Sequence, residues 1–281
     1  MKRKLLAFAL SSALLLSISA CDSSGSSSGN VEANNEETVE NEIITISVDS
    51  WGEGNNHEIV EREGTYSGTM INGIPEGKGT FTTENDSGVS WTYTGEFKDG
   101  MFDGQGETVW NELEKYQIGT YSAGLFQPNT PELFNSLSNL TSPSFSISTE
   151  NMNFMQEHLN LFPAVTDSDI TEAQTYVKTD LTYPMMTKTL DGLEGVLFYC
   201  NPAQALQVFQ EDIYGHTITY IFCGDENNNY YSIFYDGVLP DVYDGVYISF
   251  TGLPVSSSGF ENVGGGTTNV IVMIASSVAV V

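Results

Sequence analysis

Between residues 59 and 126, alternating Tyr, Phe and Val flank the turn dipeptides Asn72-Gly73 and Asp99-Gly100, which suit a backbone at positive φ. That pattern predicts β-hairpins. Upstream, Ile44, Ile46 and Val48 alternate with polar residues and predict a first strand joining the same sheet. The character changes over residues 127–164, where Pro128, Pro131 and Pro143 stand among Ser, Thr and Asn. A helix is expected over Pro131–Leu140, with Thr130 as its cap and Leu133, Phe134, Leu137 and Leu140 on one face. A second is expected over Glu150–Phe162, where Met152, Met155, Leu159 and Phe162 recur at helical spacing. Neither carries a chemical motif, and both read as a spacer that packs against the neighbouring sheet.

From about Asp167 the pattern returns to strands. A capped turn of helix from Thr182 to Leu190 leads into Leu193–Phe209, Thr217–Phe222, Tyr230–Tyr235, Val246–Phe250 and Asn269–Val280. Turn signals separate them at Tyr214-Gly215, Gly224–Asn229, Asp236-Gly237, Gly252 and Gly264–Gly266. Five strands in about 90 residues predict a small closed barrel of OB type. The apolar run Val270–Val281 is too short to span a bilayer and reads as the last strand. The expected fold is mainly β: a hairpin-repeat sheet, a short helical spacer and a C-terminal five-stranded OB-like barrel.

The first hairpins are copies of one another. At an offset of 27, Tyr66 falls on Tyr93, Gly68 on Gly95, Gly73 on Gly100, Gly77 on Gly104 and Gly79 on Gly106. Gly119, Tyr121 and Gly124 keep the first part of this spacing without the later glycine pair, as a terminal unit does. The paired glycines are expected to let one hairpin approach the next closely. The pattern Tyr-x-Gly-x-aromatic-x-x-Gly-x-x-x-Gly-x-Gly, with Tyr93, Gly95, Phe97, Gly100, Gly104 and Gly106, resembles the MORN repeat over residues 64–126. The resemblance implies a scaffold or contact surface rather than a catalyst. Trp91, Trp110 and Tyr116 are the candidates for an aromatic binding patch, beside the alternative that these rings only cover the sheet.

Met1–Ala20 reads as a secretory signal, with Lys2, Arg3 and Lys4 ahead of the apolar run Leu5–Ile18. Ile18-Ser19-Ala20-Cys21 resembles the bacterial lipobox, which implies cleavage before Cys21 and lipidation of its thiol. Acyl chains on Cys21 would make the cell membrane a partner. Residues 21–58 carry nine acidic and no basic side chains and read as a flexible tether. The segments expected are thus a signal at 1–20, a tether at 21–58, repeats at 59–126, a helical connector at 127–179 and a barrel domain at 180–281. The last of these also resembles the extracytoplasmic OB-like domains of Gram-positive lipoproteins. The stretch Leu239-Pro-Asp-Val-Tyr-Asp-Gly245 and the tail Phe260–Asn269 carry that likeness, together with the helix before Gly192.

Charge narrows the partners. The chain has nine Lys and Arg against 37 Asp and Glu, and three of the nine bases lie in the leader. Residues 165–281 hold Lys178 and Lys188 against 14 acids, so a phosphate-binding groove is not expected and nucleic acid is excluded as a partner. A neutral glycan, a peptide or a protein suits such a surface better.

Catalytic motifs are missing from the sequence. His57, His158 and His216 have no motif partners and read as surface residues, and no Gly-x-Ser-x-Gly or His-Glu-x-x-His run occurs. Asp225–Asn229 has calcium-ligand types but lacks the glycine and distal Glu of an EF-hand, and reads as a solvated turn. No cofactor and no metal is expected. Cys200 and Cys223 lie on expected strands and fit either a disulfide or two buried thiols. The function expected is therefore a non-catalytic, lipid-anchored surface protein that binds an envelope polymer or a protein. The rival reading is an envelope hydrolase using carboxylates.

Overall fold

The computed structural model describes residues 35–51, 57–110, 113, 115–138, 141, 145–261 and 265–281. The leader, Cys21 and the first part of the expected tether lie outside them. Among the described residues, seven strands form one antiparallel sheet in chain order. They are β1 (Glu36–Trp51), β2 (His57–Ile71), β3 (Ile74–Glu84), β4 (Ser90–Lys98), β5 (Met101–Trp110), β6 (Lys115–Ser122) and β7 (Leu125–Phe126). The strand expected from Ile44, Ile46 and Val48 reaches back to Glu36, so residues 36–51 belong to the sheet and not to a tether. Its ladder to β2 runs from Glu36↔Ile71 to Trp51↔His57, with an irregularity between Val39 and Glu42. Backbone pairing needs no apolar side chains, and glutamates suit an edge strand because they discourage further pairing.

Glycines cross the sheet in a row. Gly68 pairs with Gly79, Gly79 with Gly95, Gly95 with Gly106 and Gly106 with Gly119. The tyrosine that opens each repeat lies over this row: Tyr66 Oη donates to Thr69 O at 2.7 Å and Tyr93 Oη to Glu96 O at 2.8 Å. A Cβ on Gly79 would sit 2.6 Å from Tyr66 Cε2, and one on Gly106 would sit 2.5 Å from Tyr93 Oη. Gly79 and Gly106 are therefore bare because a ring of the same repeat fills the space, while at Gly68 and Gly95 the paired backbone of the next strand also lies too close for a Cβ, as the close approach expected from the sequence requires. Tyr93 then stacks on Phe102 at 3.7 Å and meets Tyr121 edge-on at 5.0 Å, making an aromatic core along the inner face.

Among the described residues, four helices follow: α1 (Thr130–Leu137), α2 (Thr149–Glu157), α3 (Asp167–Thr175) and α4 (Tyr183–Lys188). The cap of α1 is Asn129, one residue before the expected Thr130, and its partner in the capping box is Glu132. Glu132 also ties α1 to the third hairpin, since its carboxylate accepts from Thr120 N at 3.1 Å. Gly119 leaves room for that carboxylate: a Cβ there would lie 2.7 Å from Glu132 Cδ. The second expected helix ends at Glu157 and continues as a 3₁₀ turn, Leu159–Leu161. Where strands are expected from Asp167, the chain forms α3 instead.

The strands β8 (Phe198–Ile213), β9 (His216–Asp225), β10 (Tyr230–Asp236), β11 (Tyr247–Glu261) and β12 (Thr267–Val280) close the expected barrel. The order around it is β8-β9-β10-β12-β11 and back to β8, and β10 and β12 run parallel while the other pairs are antiparallel. Along β12 every residue from Val270 to Ser276 is buried. Ile271, Met273 and Ala275 fill the barrel, whereas Val272 and Ile274 join the core that includes the helices and the inner face of the sheet. A strand covered on both faces reads as a continuous apolar run, which is what the sequence of β12 shows.

Candidate functional site

The turn between β8 and β9 places Tyr214 against the sheet. Its ring meets Phe126 edge-on at 5.0 Å, and its hydroxyl accepts from Gln117 Nε2 at 2.7 Å. Above it lies a cavity of about 620 Å³ on the inner side of the sheet. Val48, Val60 and Arg62 of β1 and β2 line one wall, and Trp91, Phe102, Thr108 and Trp110 of β4 and β5 line another. Lys115, Tyr116, Gln117 and Tyr121 of β6 complete it, with Asp49 and Phe126. The turn residues Asn85–Ser87 and the segment at Leu113 frame the mouth, where Leu113, Lys115 and Asp86 are exposed.

All three aromatic candidates of the sequence, Trp91, Trp110 and Tyr116, line this one cavity. Trp91 is also core, edge-on to Phe81 and Phe102 at 6.1 and 6.3 Å, as the reading that the rings cover the sheet expects. Trp110 and Tyr116 are half-buried. The floor is a hydrogen-bonded chain: Thr108 Oγ1 and Tyr121 Oη lie 2.7 Å apart, and Gln117 bridges Tyr121 and Tyr214. Burial raises the pKa of both phenols above its ordinary value, so they stay neutral; beside Tyr214 the Asp49 carboxylate adds to the effect. At the rim Arg62 Nη1 donates to Asp86 Oδ1, a bond that lowers the Asp86 pKa and raises that of Arg62. Arg62 and Gln117 were not singled out from the sequence. The available signal is a charged residue in the alternation Val60, Arg62, Gly64, Tyr66 along β2, on the face that buries Tyr66.

The family model of the MORN repeat matches residues 66–87 and 93–112. No curated protein and no solved structure gives a match. The two matched segments begin at Tyr66 and Tyr93, the rings that cover the glycine row. The hairpin of β6 and β7 lies beyond the match, in keeping with its missing glycine pair and with the use of Gly119 to admit Glu132. The cavity thus draws on the second matched segment for Phe102, Thr108 and Trp110, on the first for Asp86, and on residues outside both for Trp91, Arg62, Asp49 and Lys115.

The remaining chemical candidates lie elsewhere. Cys200 and Cys223 are two free, buried thiols inside the barrel. Burial, with a further push from the Asp225 carboxylate, takes the Cys200 thiol up to about 12, and burial also raises Cys223. At pH 8 both are expected to resist a thiol reagent in the folded protein and to react on unfolding without added reductant. A requirement for reductant would reveal a disulfide. Asp225 serves its own turn, accepting from Asn227 N and Asn229 N, each at 2.9 Å. Two histidines differ from the expected surface role: the His158 ring packs between Phe154 and Tyr176, and His216 is bonded through both ring nitrogens. The side chain of His57 lies outside the described residues.

Proposed function

We propose that the protein is a non-catalytic binding protein, held at the outer face of a bacterial cell membrane by a lipid on Cys21, whose ligand site is the cavity against the MORN sheet. The observation that carries this reading is the convergence of Trp91, Trp110 and Tyr116 on one cavity of about 620 Å³, a size within the ~300–1,000 Å³ of small-ligand sites. Aromatic walls with a few fixed polar groups suit recognition. The strand order of the barrel, with β10 parallel to β12, supports an OB-like C-terminal module that presents the Tyr214 turn as the floor of the site. Residues 21–34 would serve as the tether that sets the folded part off from the bilayer.

Metabolic labelling of the expressed full chain with an alkyne fatty acid is expected to mark the wild type and not Cys21→Ala. The variant is expected to move from the membrane fraction to the medium. Equal labelling of the two would overturn the anchor. The binding role is tested separately: the immobilised full chain is expected to retain envelope material, and retention of none would overturn it.

A further inference from the structure

The chemistry of the lining narrows the ligand of the cavity, an inference that rests on the binding role proposed above. Among the described residues of the lining, two positive charges, Arg62 and Lys115, balance two negative ones, Asp49 and Asp86. The chain as a whole carries nine basic against 37 acidic residues, so this is a neutral pocket in a strongly acidic protein. An anionic ligand would approach through a repelling field, and a cationic one would meet Arg62 and Lys115 at the rim.

The lining also combines two features that apolar ligands do not use together. Trp91 and Trp110 offer indole surface, while Arg62, Asp86 and Gln117 are planar groups that donate or accept in pairs. A pyranose ring is complementary to that combination. Its axial C–H bonds form apolar patches that lie against aromatic rings, and its equatorial rim carries vicinal hydroxyls spaced for planar amide, carboxylate or guanidinium partners. Several of these partners are already fixed by the protein's own bonds, Arg62 by Asp86 and Gln117 by Tyr121 and Tyr214, so little ordering remains to be done on binding. A purely apolar ligand lying against Arg62 and Lys115 would strip water from their charged groups with nothing to replace it. We propose that the cavity binds a short segment of neutral glycan, stacked on the tryptophans and hydrogen-bonded at Arg62 and Asp86.

The test is a fluorescence titration of the detergent-solubilised full chain, which has three tryptophans, two of them in the cavity wall. The probes are three neutral tetrasaccharides (of β-1,4-linked N-acetylglucosamine, β-1,4-linked glucose and α-1,4-linked glucose), the anionic tetragalacturonate and the uncharged apolar dye N-phenyl-1-naphthylamine. At least one neutral tetrasaccharide is expected to shift the emission saturably. Trp110→Ala is expected to weaken that binding by about tenfold or more, and Arg62→Gln to weaken it severalfold, with thermal unfolding showing that each variant is folded. The wild-type titration decides even where a variant does not fold. Saturable dye binding that needs Trp110, with no neutral saccharide bound, would overturn the glycan and leave the cavity as a binding site. Preference for tetragalacturonate would overturn the neutral class. Saccharide binding indifferent to both substitutions would move the site elsewhere and overturn the proposal. Binding of no probe would overturn the cavity reading as well.

Discussion

Gly106→Ala is expected to destabilise the protein by about 3 kcal/mol, at the upper end for overpacking a core. The added Cβ meets only the Tyr93 ring among its three nearest atoms, with Cζ at 2.6 Å. Gly95→Ala is expected to cost more, because its Cβ lands 2.6 Å from Gly106 Cα and 2.7 Å from Gln105 O, and paired backbone has nowhere to go. Gly73 is the contrasting position. Its φ of +77° favours glycine, but nothing lies within 4 Å of an added Cβ, so Gly73→Ala is expected to cost about 1 kcal/mol from backbone conformation alone. Urea unfolding of the three variants checks the order. The cause is separated by repeating them on Tyr93→Leu: Gly106→Ala is expected to become cheaper there, while Gly95→Ala keeps most of its cost. Equal penalties for Gly106→Ala in both backgrounds would remove the Tyr93 ring as the reason for the glycine.

That ring also shows what a single sequence reveals. The offset of 27 residues exposed Tyr66, Tyr93 and the glycines as one unit, because the same local packing is solved twice and so is written twice. The barrel strands were legible for a similar reason, since the run at Val270–Ala275 is covered on both faces. Segments held by polar contacts were not. In α3 only Ala173 is buried, so no apolar stripe marks it, and its signature is the capping box of Thr166 with Asp169. On β11 the expected strand stops at Phe250, yet the chain stays paired to Glu261 across irregularities at Thr251/Gly252 and Pro254/Ser256. Of the cavity, the aromatic walls were legible as residue types. Its charged rim was not, because Arg62 and Asp86 meet across a turn, and Tyr214 reaches Gln117 from 97 positions away.

Raising the pH from 6 to 9 is expected to weaken the joint between sheet and barrel through His216. The ring stands at the start of β9 with Nδ1 2.8 Å from Asp236 Oδ2 and Nε2 2.8 Å from Pro128 O. Both partners are acceptors, so the imidazolium alone donates to both. Pro128 directly precedes the Asn129 cap of α1, and Thr130 Oγ1 donates to the same Asp236 oxygen at 2.6 Å. When protonated, the ring therefore ties the end of the sheet and the first turn of α1 to β9 and β10. Asp236 is the charged group facing it among the described residues; the Pro128 carbonyl and the Thr130 hydroxyl are neutral. The Asp236 hydrogen bond raises the His216 pKa in the folded state, with the Pro128 carbonyl helping and burial opposing. A raised folded value means that the stabilisation is complete below the unfolded value of about 6.5 and is lost as pH rises through the folded one. His216→Ala is expected to cost about 2 kcal/mol at pH 6, since Asp236 and the Pro128 carbonyl lose a donor at a site where the Asp236 side chain is only 12% exposed. It is also expected to flatten the dependence above pH 6, a range clear of ordinary carboxylate titration. Urea unfolding of both proteins at pH 6 and 9 measures the two effects together. A cost that is the same at both pH values, which is an unchanged pH dependence in the variant, would mean that the ring holds the joint without its charge and that the titrating proton resides elsewhere.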